Sequence, residues 1–93
     1  MNTIQIYRAE IDRIDCELRS LFIQRMEIIA KISEWKAAHD LPIFDPSREV
    51  EVIKNNLDAI ENEVMREYYH TVLLSLLKVS KDYQKSLALE GIL

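Results

Sequence analysis

The sequence predicts an all-α protein with one very long, one short and one long helix per chain, paired as a homodimer. Three observations lead there. Ile4, Tyr7, Ile11, Ile14, Leu18, Leu21, Arg25, Ile28, Ile32 and Trp35 are spaced alternately three and four apart, a helical seam of period 3.5. One Gly and two Pro in 93 residues leave little turn chemistry, and no segment alternates apolar and polar side chains as a half-buried strand does. Finally, the seam outgrows its own domain. A helix of about 36 residues is about 54 Å long, whereas a compact chain of this size is about 32 Å across. The overhang is apolar and needs cover from a second chain, which also enlarges a core that one small chain leaves marginal.

The first helix is expected from about residue 3 to 39, since no Pro or Gly interrupts it before Pro42. His39-Asp40-Leu41-Pro42-Ile43-Phe44 is the first break. Asp45-Pro46 then reads as an N-cap followed by Pro at the first helical position, opening a short helix to about Asn56. The polar stretch Leu57 to Asn62 makes the second connection. From Glu63 to about Glu90 a third helix carries Met65, Tyr69, Val72, Leu73, Leu76, Leu77, Tyr83 and Leu87. Residues 1–93 are expected to form one domain.

Composition narrows the function classes. A 48% hydrophobic and 30% charged content fits a globular protein. There is no glycine-rich phosphate loop and no dinucleotide fingerprint. A single cysteine, Cys16, excludes an internal disulfide, and with His39 and His70 as the two histidines a Cys/His zinc site has too few ligands. A net charge of −4 argues against non-specific nucleic-acid binding but allows a local basic pocket. The N-terminal residues lack the pattern of a signal peptide, and the apolar run 72–77 is too short to span a bilayer, so a cytoplasmic protein without nucleic-acid or membrane partners is expected.

Several residues break the core pattern. Arg25 interrupts the seam. Either its stem lies on the seam with the head in water, or a buried cation waits for an external anion, since no acidic residue occupies a matching seam position. Lys36 lies eleven residues on, about 16 Å along nearly the same face, close enough for both side chains to meet one small molecule. Arg8 is about 25 Å before Arg25, so it is surface decoration or serves a partner's site. In the row Tyr68, Val72, Leu76, Ser80, Gln84, the last two switch to hydrogen-bonding groups. They are wet if the apolar stripe shifts to Val79, Tyr83 and Leu87. Arg48 in a helix's first turn is unfavourable beside the dipole, whereas Glu49 there is favourable.

Taken in order, these residues resemble the all-helical chorismate mutases over roughly residues 5 to 89. The resemblance is carried by Tyr7-Arg8-x-x-Ile11-Asp12-x-x-Asp15, Leu21-x-x-x-Arg25, Ile32-x-x-x-Lys36, Pro42-Ile43-x-Asp45-x-x-Arg48-Glu49 and Ser80-x-x-x-Gln84, with no departure at a ligand-contacting position. It implies an intertwined homodimer with two identical sites that converts chorismate, a dianion, to prephenate in phenylalanine and tyrosine biosynthesis, with no cofactor and no metal. It further implies that Arg25 and the other chain's Arg8 grip the two carboxylates. Lys36 and Gln84 would face the ether oxygen, Glu49 and the Asp45 region the ring hydroxyl, and Arg48 and Ser80 would complete the polar lining. Two other readings share the scaffold: an isochorismate pyruvate-lyase, and a dimerisation module that binds an aromatic-pathway metabolite without turnover. The Asp45-to-Glu49 run favours the mutase over the lyase. The paired donors Lys36 and Gln84, which simple binding does not require, disfavour the module.

Overall fold

A computed structural model describes residues 2–91, so the expected domain of 1–93 extends past the described residues at both ends. Three helices follow in order: α1 Thr3–Ala38, α2 Pro46–Asp58 and α3 Glu63–Leu89. Each starts on a side-chain cap. Asn2 and Gln5 form a reciprocal capping box at α1, Asp45 caps α2 with Pro46 behind it, and Asn62 caps α3 by accepting the Met65 N–H at 3.1 Å. The second helix runs two residues beyond the expected Asn56. Lys54 and Asp58 form an i,i+4 ion pair at 2.6 Å there, and Leu57 is half-buried, so the last turn has both an electrostatic and a packing reason to stay helical.

The end of α1 shapes the site. His39 is its C-cap, and Asp40 takes a left-handed conformation with φ 55°. The Leu41 N–H reaches back to the Lys36 carbonyl at 2.9 Å and the Asp40 N–H to that of Ala37 at 3.4 Å. This is a Schellman closure with Asp where Gly is usual, tolerable because a short polar side chain suffers least in that region. The chain therefore turns back over the last turn of α1, and the Ile43 carbonyl comes within 3.0 Å of Lys36 Nζ.

α3 packs against both α1 and α2, which do not pack on each other. The molecule is a rod of 55 × 28 × 15 Å, its long dimension set by α1. Leu73, Leu77 and Leu87, all on α3, are the buried apolar side chains among the described residues, and the one buried residue of α1 is Ser33. All nine apolar seam residues are exposed, from Ile14 at 40% to Leu21 at 61%. The accessible surface is 7422 Å², whereas a folded monomer of 11.0 kDa exposes about 5,600 Å². The chain does not cover its own seam.

Ser33 Oγ is buried without a hydrogen-bond partner. An orphaned buried hydroxyl costs about 1–3 kcal/mol, and Ala is the better helix former. Ser33→Ala should therefore raise stability by roughly 1 kcal/mol. Urea unfolding at fixed protein concentration measures this, and a loss of stability would mean that the hydroxyl is bonded after all.

Candidate active site

Where α3 crosses the second half of α1 and the start of α2, all three helices and the connecting loop enclose one cleft. α1 contributes Arg25, Ile29, Ile32 and Lys36; the loop and α2 contribute Ile43, Asp45, Arg48, Glu49 and Val52; α3 contributes Leu77, Ser80, Lys81 and Gln84. Seven residues singled out in the sequence, Arg25, Lys36, Asp45, Arg48, Glu49, Ser80 and Gln84, thus line one cleft. Arg8 does not. It is exposed on the first half of α1, about 25 Å along the axis from Arg25.

The local chemistry resolves choices left open by spacing. Arg25 does not send its head to water: its guanidinium donates to Ser80 Oγ, which in turn donates to the Leu76 carbonyl at 2.7 Å. Ser80 and Gln84 are buried at 4% and 5% exposure, so the polar switch on α3 faces inward; of the neighbouring stripe, Val79 is exposed, Tyr83 half-buried and Leu87 buried. Gln84 Oε1 has no partner. A buried amide left unpaired is costly, and rotating it about its last bond offers NH₂ donors at the same place. Lys36 is held by the Ile43 carbonyl, so its ammonium is fixed at the cleft wall instead of trailing in solvent.

The α2 residues differ in how free they are. Asp45 Oδ1 accepts the Arg48 N–H at 3.1 Å and the Ser47 hydroxyl at 3.0 Å. The Arg48 backbone bond, followed by the Ser47 bond, holds its carboxyl below the ordinary value of 3.8. This exposed cap therefore stabilises the fold fully above pH 3.8, and the contribution fades as pH falls through the lower folded value. Arg48 lines the cleft, but its guanidinium pairs with Glu51 one turn on, which offsets the dipole penalty of its position. Glu49 pairs with Lys81 at 3.0 Å.

Lys81 is the charged residue that sequence reasoning missed. It precedes Gln84 by three, a spacing that places the two as neighbours on α3, and it lines the same cleft. With it, Arg25, Lys36, Arg48 and Lys81 face Asp45 and Glu49, leaving two surplus positive charges in a chain of net charge −4. Such a cleft suits a small dianion, with apolar Ile29, Ile32, Val52 and Leu77 to pack its carbon skeleton. Among the described residues, no helix is long and apolar enough to cross a membrane.

Comparison with known proteins agrees with this architecture. Residues 7–85 match the family model described as chorismate mutase type II. The chain is 31% identical over 81 residues to the T-protein of Haemophilus influenzae, covering 86% of this chain and 22% of that one. It is 33% identical over 75 residues to the T-protein of Enterobacter agglomerans, covering 67% and 20%. It is 29% identical over 89 residues to the bifunctional chorismate mutase/prephenate dehydratase of Aquifex aeolicus, covering 87% and 25%. The chain spans about a fifth to a quarter of the length of these relatives. With the family model matched over most of the chain, the chain belongs to the type II chorismate mutase family.

Proposed function

We propose that the protein is a cytoplasmic chorismate mutase that rearranges chorismate to prephenate at two identical sites of a homodimer. The observation that carries this reading is the cleft itself: fixed cations and uncharged donors converge on a volume with an apolar floor. The reaction asks for little else. In an intramolecular [3,3] rearrangement the ether carbon–oxygen bond breaks as a carbon–carbon bond forms, the electron pairs shift around a six-membered ring of atoms, and no proton moves. A protein accelerates it by holding the flexible enolpyruvyl arm over the ring and by stabilising negative charge as it grows on the ether oxygen.

Each role falls to a residue suited to it. Arg25 grips one carboxylate, because a planar fork fixes orientation as well as charge. Arg8 of the second chain grips the other. Lys36 and Gln84 donate to the ether oxygen, one charged and held by a backbone carbonyl, the other a buried amide whose unpaired Oε1 exchanges places with its NH₂ by rotation about the last bond. Glu49 accepts the ring hydroxyl beside Asp45, while Arg48 and Ser80 complete the lining. Support for the dimer comes from the nine exposed seam residues and from a surface about 1,800 Å² larger than a monomer of this mass exposes. Counted over two chains it is about 3,600 Å², within the range of obligate homodimer interfaces.

The direct test is incubation of the purified protein with chorismate and, separately, isochorismate. Prephenate from the first supports the mutase. Pyruvate and salicylate from the second with no prephenate from the first would make it a lyase, and affinity without product a binding module.

Gln84 also gives a pH test. Its amide donates at every working pH, whereas Gln84→Glu donates only when protonated and repels the ether oxygen when ionised. Activity of that variant should shift toward acid. A pH profile that matches the parent's would remove Gln84 from the reacting oxygen.

The shared site has its own signature. Arg8→Ala and Arg25→Ala homodimers should each lose about 30- to 1000-fold in kcat/KM, the worth of a charged hydrogen bond in a closed pocket. Unfolded together and refolded, half the dimers are mixed, and each mixed dimer has one site with both lesions and one with neither. Roughly a quarter of parental activity should return. A mixture that stays inactive while mass measurements confirm heterodimers would separate the two arginines.

A further inference from the structure

Of the four cations on the cleft wall, Lys81 is the one the reaction scheme leaves without a task. Its surroundings define one. The side chain leaves α3 beside Ser80 and crosses to the start of α2, where Nζ lies 3.0 Å from Glu49 Oε2 and 4.7 Å from the centroid of the Phe44 ring. Carboxylate and aromatic face both attract the ammonium, so it is held from two elements at once. The other five ion pairs among the described residues each join residues three or four apart on a single helix. Lys81–Glu49 is the one that ties two helices together, and it is also the least exposed, at 29% and 24%.

This pair determines what Glu49 can offer a ligand. With Oε2 engaged by Lys81, Oε1 remains to accept a hydrogen bond, and an ionised carboxylate can only accept. Alone, Glu49 would set a negative charge against a substrate that already carries two. Neutralised from behind by Lys81, it can face a dianion and still accept from a hydroxyl.

We propose that Lys81 is a positioning residue: by tethering Glu49 across the α2–α3 contact it cancels the carboxylate's repulsion of the dianion and turns its free oxygen to the substrate's hydroxyl, so that the site prefers a dicarboxylate bearing that hydroxyl. The inference rests on the mutase reading above.

A double-mutant cycle with chorismate tests it, using Lys81→Met, Glu49→Gln, the double variant and Lys81→Arg, each checked for folding by circular dichroism. Lys81→Gln replaces Lys81→Met if the latter fails to fold. Lys81→Met should raise KM about five- to tenfold, the size of one partly screened ion pair, with kcat within about threefold. Lys81→Arg should restore most of the loss, because it keeps the charge. In the Glu49→Gln background Lys81→Met should change KM less than about twofold, since no carboxylate remains to neutralise or orient. Equal KM effects in both backgrounds would mean that Lys81 touches substrate directly or only supports the fold, and would overturn the proposal. An unchanged KM in Lys81→Met would do the same. If the parent forms no prephenate, the functional reading fails and this inference falls with it. A fully active parent with additive variants defeats the inference alone.

Discussion

The constraint on which everything else depends is a helix too long for its own chain to cover. α1 sets a 55 Å dimension, and α3, the helix that packs on it, buries three leucines of its own and from α1 a single serine. At roughly 25 cal/mol per Å² of apolar burial, three leucines fall far short of offsetting the conformational entropy of about 90 ordered residues. The exposed seam holds apolar surface that further burial would draw on. A second copy that covers it would supply the missing core and carry its Arg8 to the cleft in one step. On the proposed dimer, folding and completion of the site are the same event.

The cleft shows what is given up for function. Along the α3 row Tyr68, Val72, Leu76, Ser80, Gln84, apolar side chains at the last two positions would have joined Leu77 and Leu87 in the core. Ser80 and Gln84 stand there instead, and the Gln84 amide is left without a bond that a ligand can supply. Arg25 interrupts the seam at the same level and is held by Ser80. Arg25 and Gln84 thus meet at one height in the molecule, where, with the Gln84 amide turned to present its NH₂, a small anion would accept from both.

Much of this was legible in the sequence, for identifiable reasons. Helix starts were marked by short-range chemistry, Asp45-Pro46 above all, and the seam by unbroken 3–4 spacing. The end of α2 was less visible, because an i,i+4 pair between Lys54 and Asp58 and half-burial of Leu57 outweigh a polar stretch that resembles a loop. Cleft-lining residues were legible where they violated a pattern: Arg25 in the seam, Ser80 and Gln84 in an apolar row. Spacing alone could not say whether those polar groups faced in or out, since two neighbouring stripes fit α3 equally; burial of Ser80 and Gln84 beside an exposed Val79 decides it there, and the neighbouring stripe turns inward at Leu87. Lys81 violated nothing. A lysine on an amphipathic helix reads as solvated surface, and only the approach of Phe44 and Glu49 from another element gives it a different meaning.

That contrast separates two kinds of site residue. Arg25, Ser80 and Gln84 replace core and so leave a gap in a periodic pattern. Groups that hold those groups in place sit at the pattern's edge, where charge is ordinary, and are recognised only when a partner arrives through the fold. The turn at Asp40 belongs to the second kind. Its left-handed backbone folds the loop over the end of α1 and brings the Ile43 carbonyl to Lys36 Nζ, although neither Asp40 nor Ile43 carries charge into the ligand's reach by that contact. Lys36 is therefore aimed by backbone geometry and Glu49 by a cross-helix ion pair, on opposite sides of the same loop. A substitution that loosened the 39–45 connection would disturb both without touching either side chain, which makes this short segment as much a part of the site's geometry as the residues that line it.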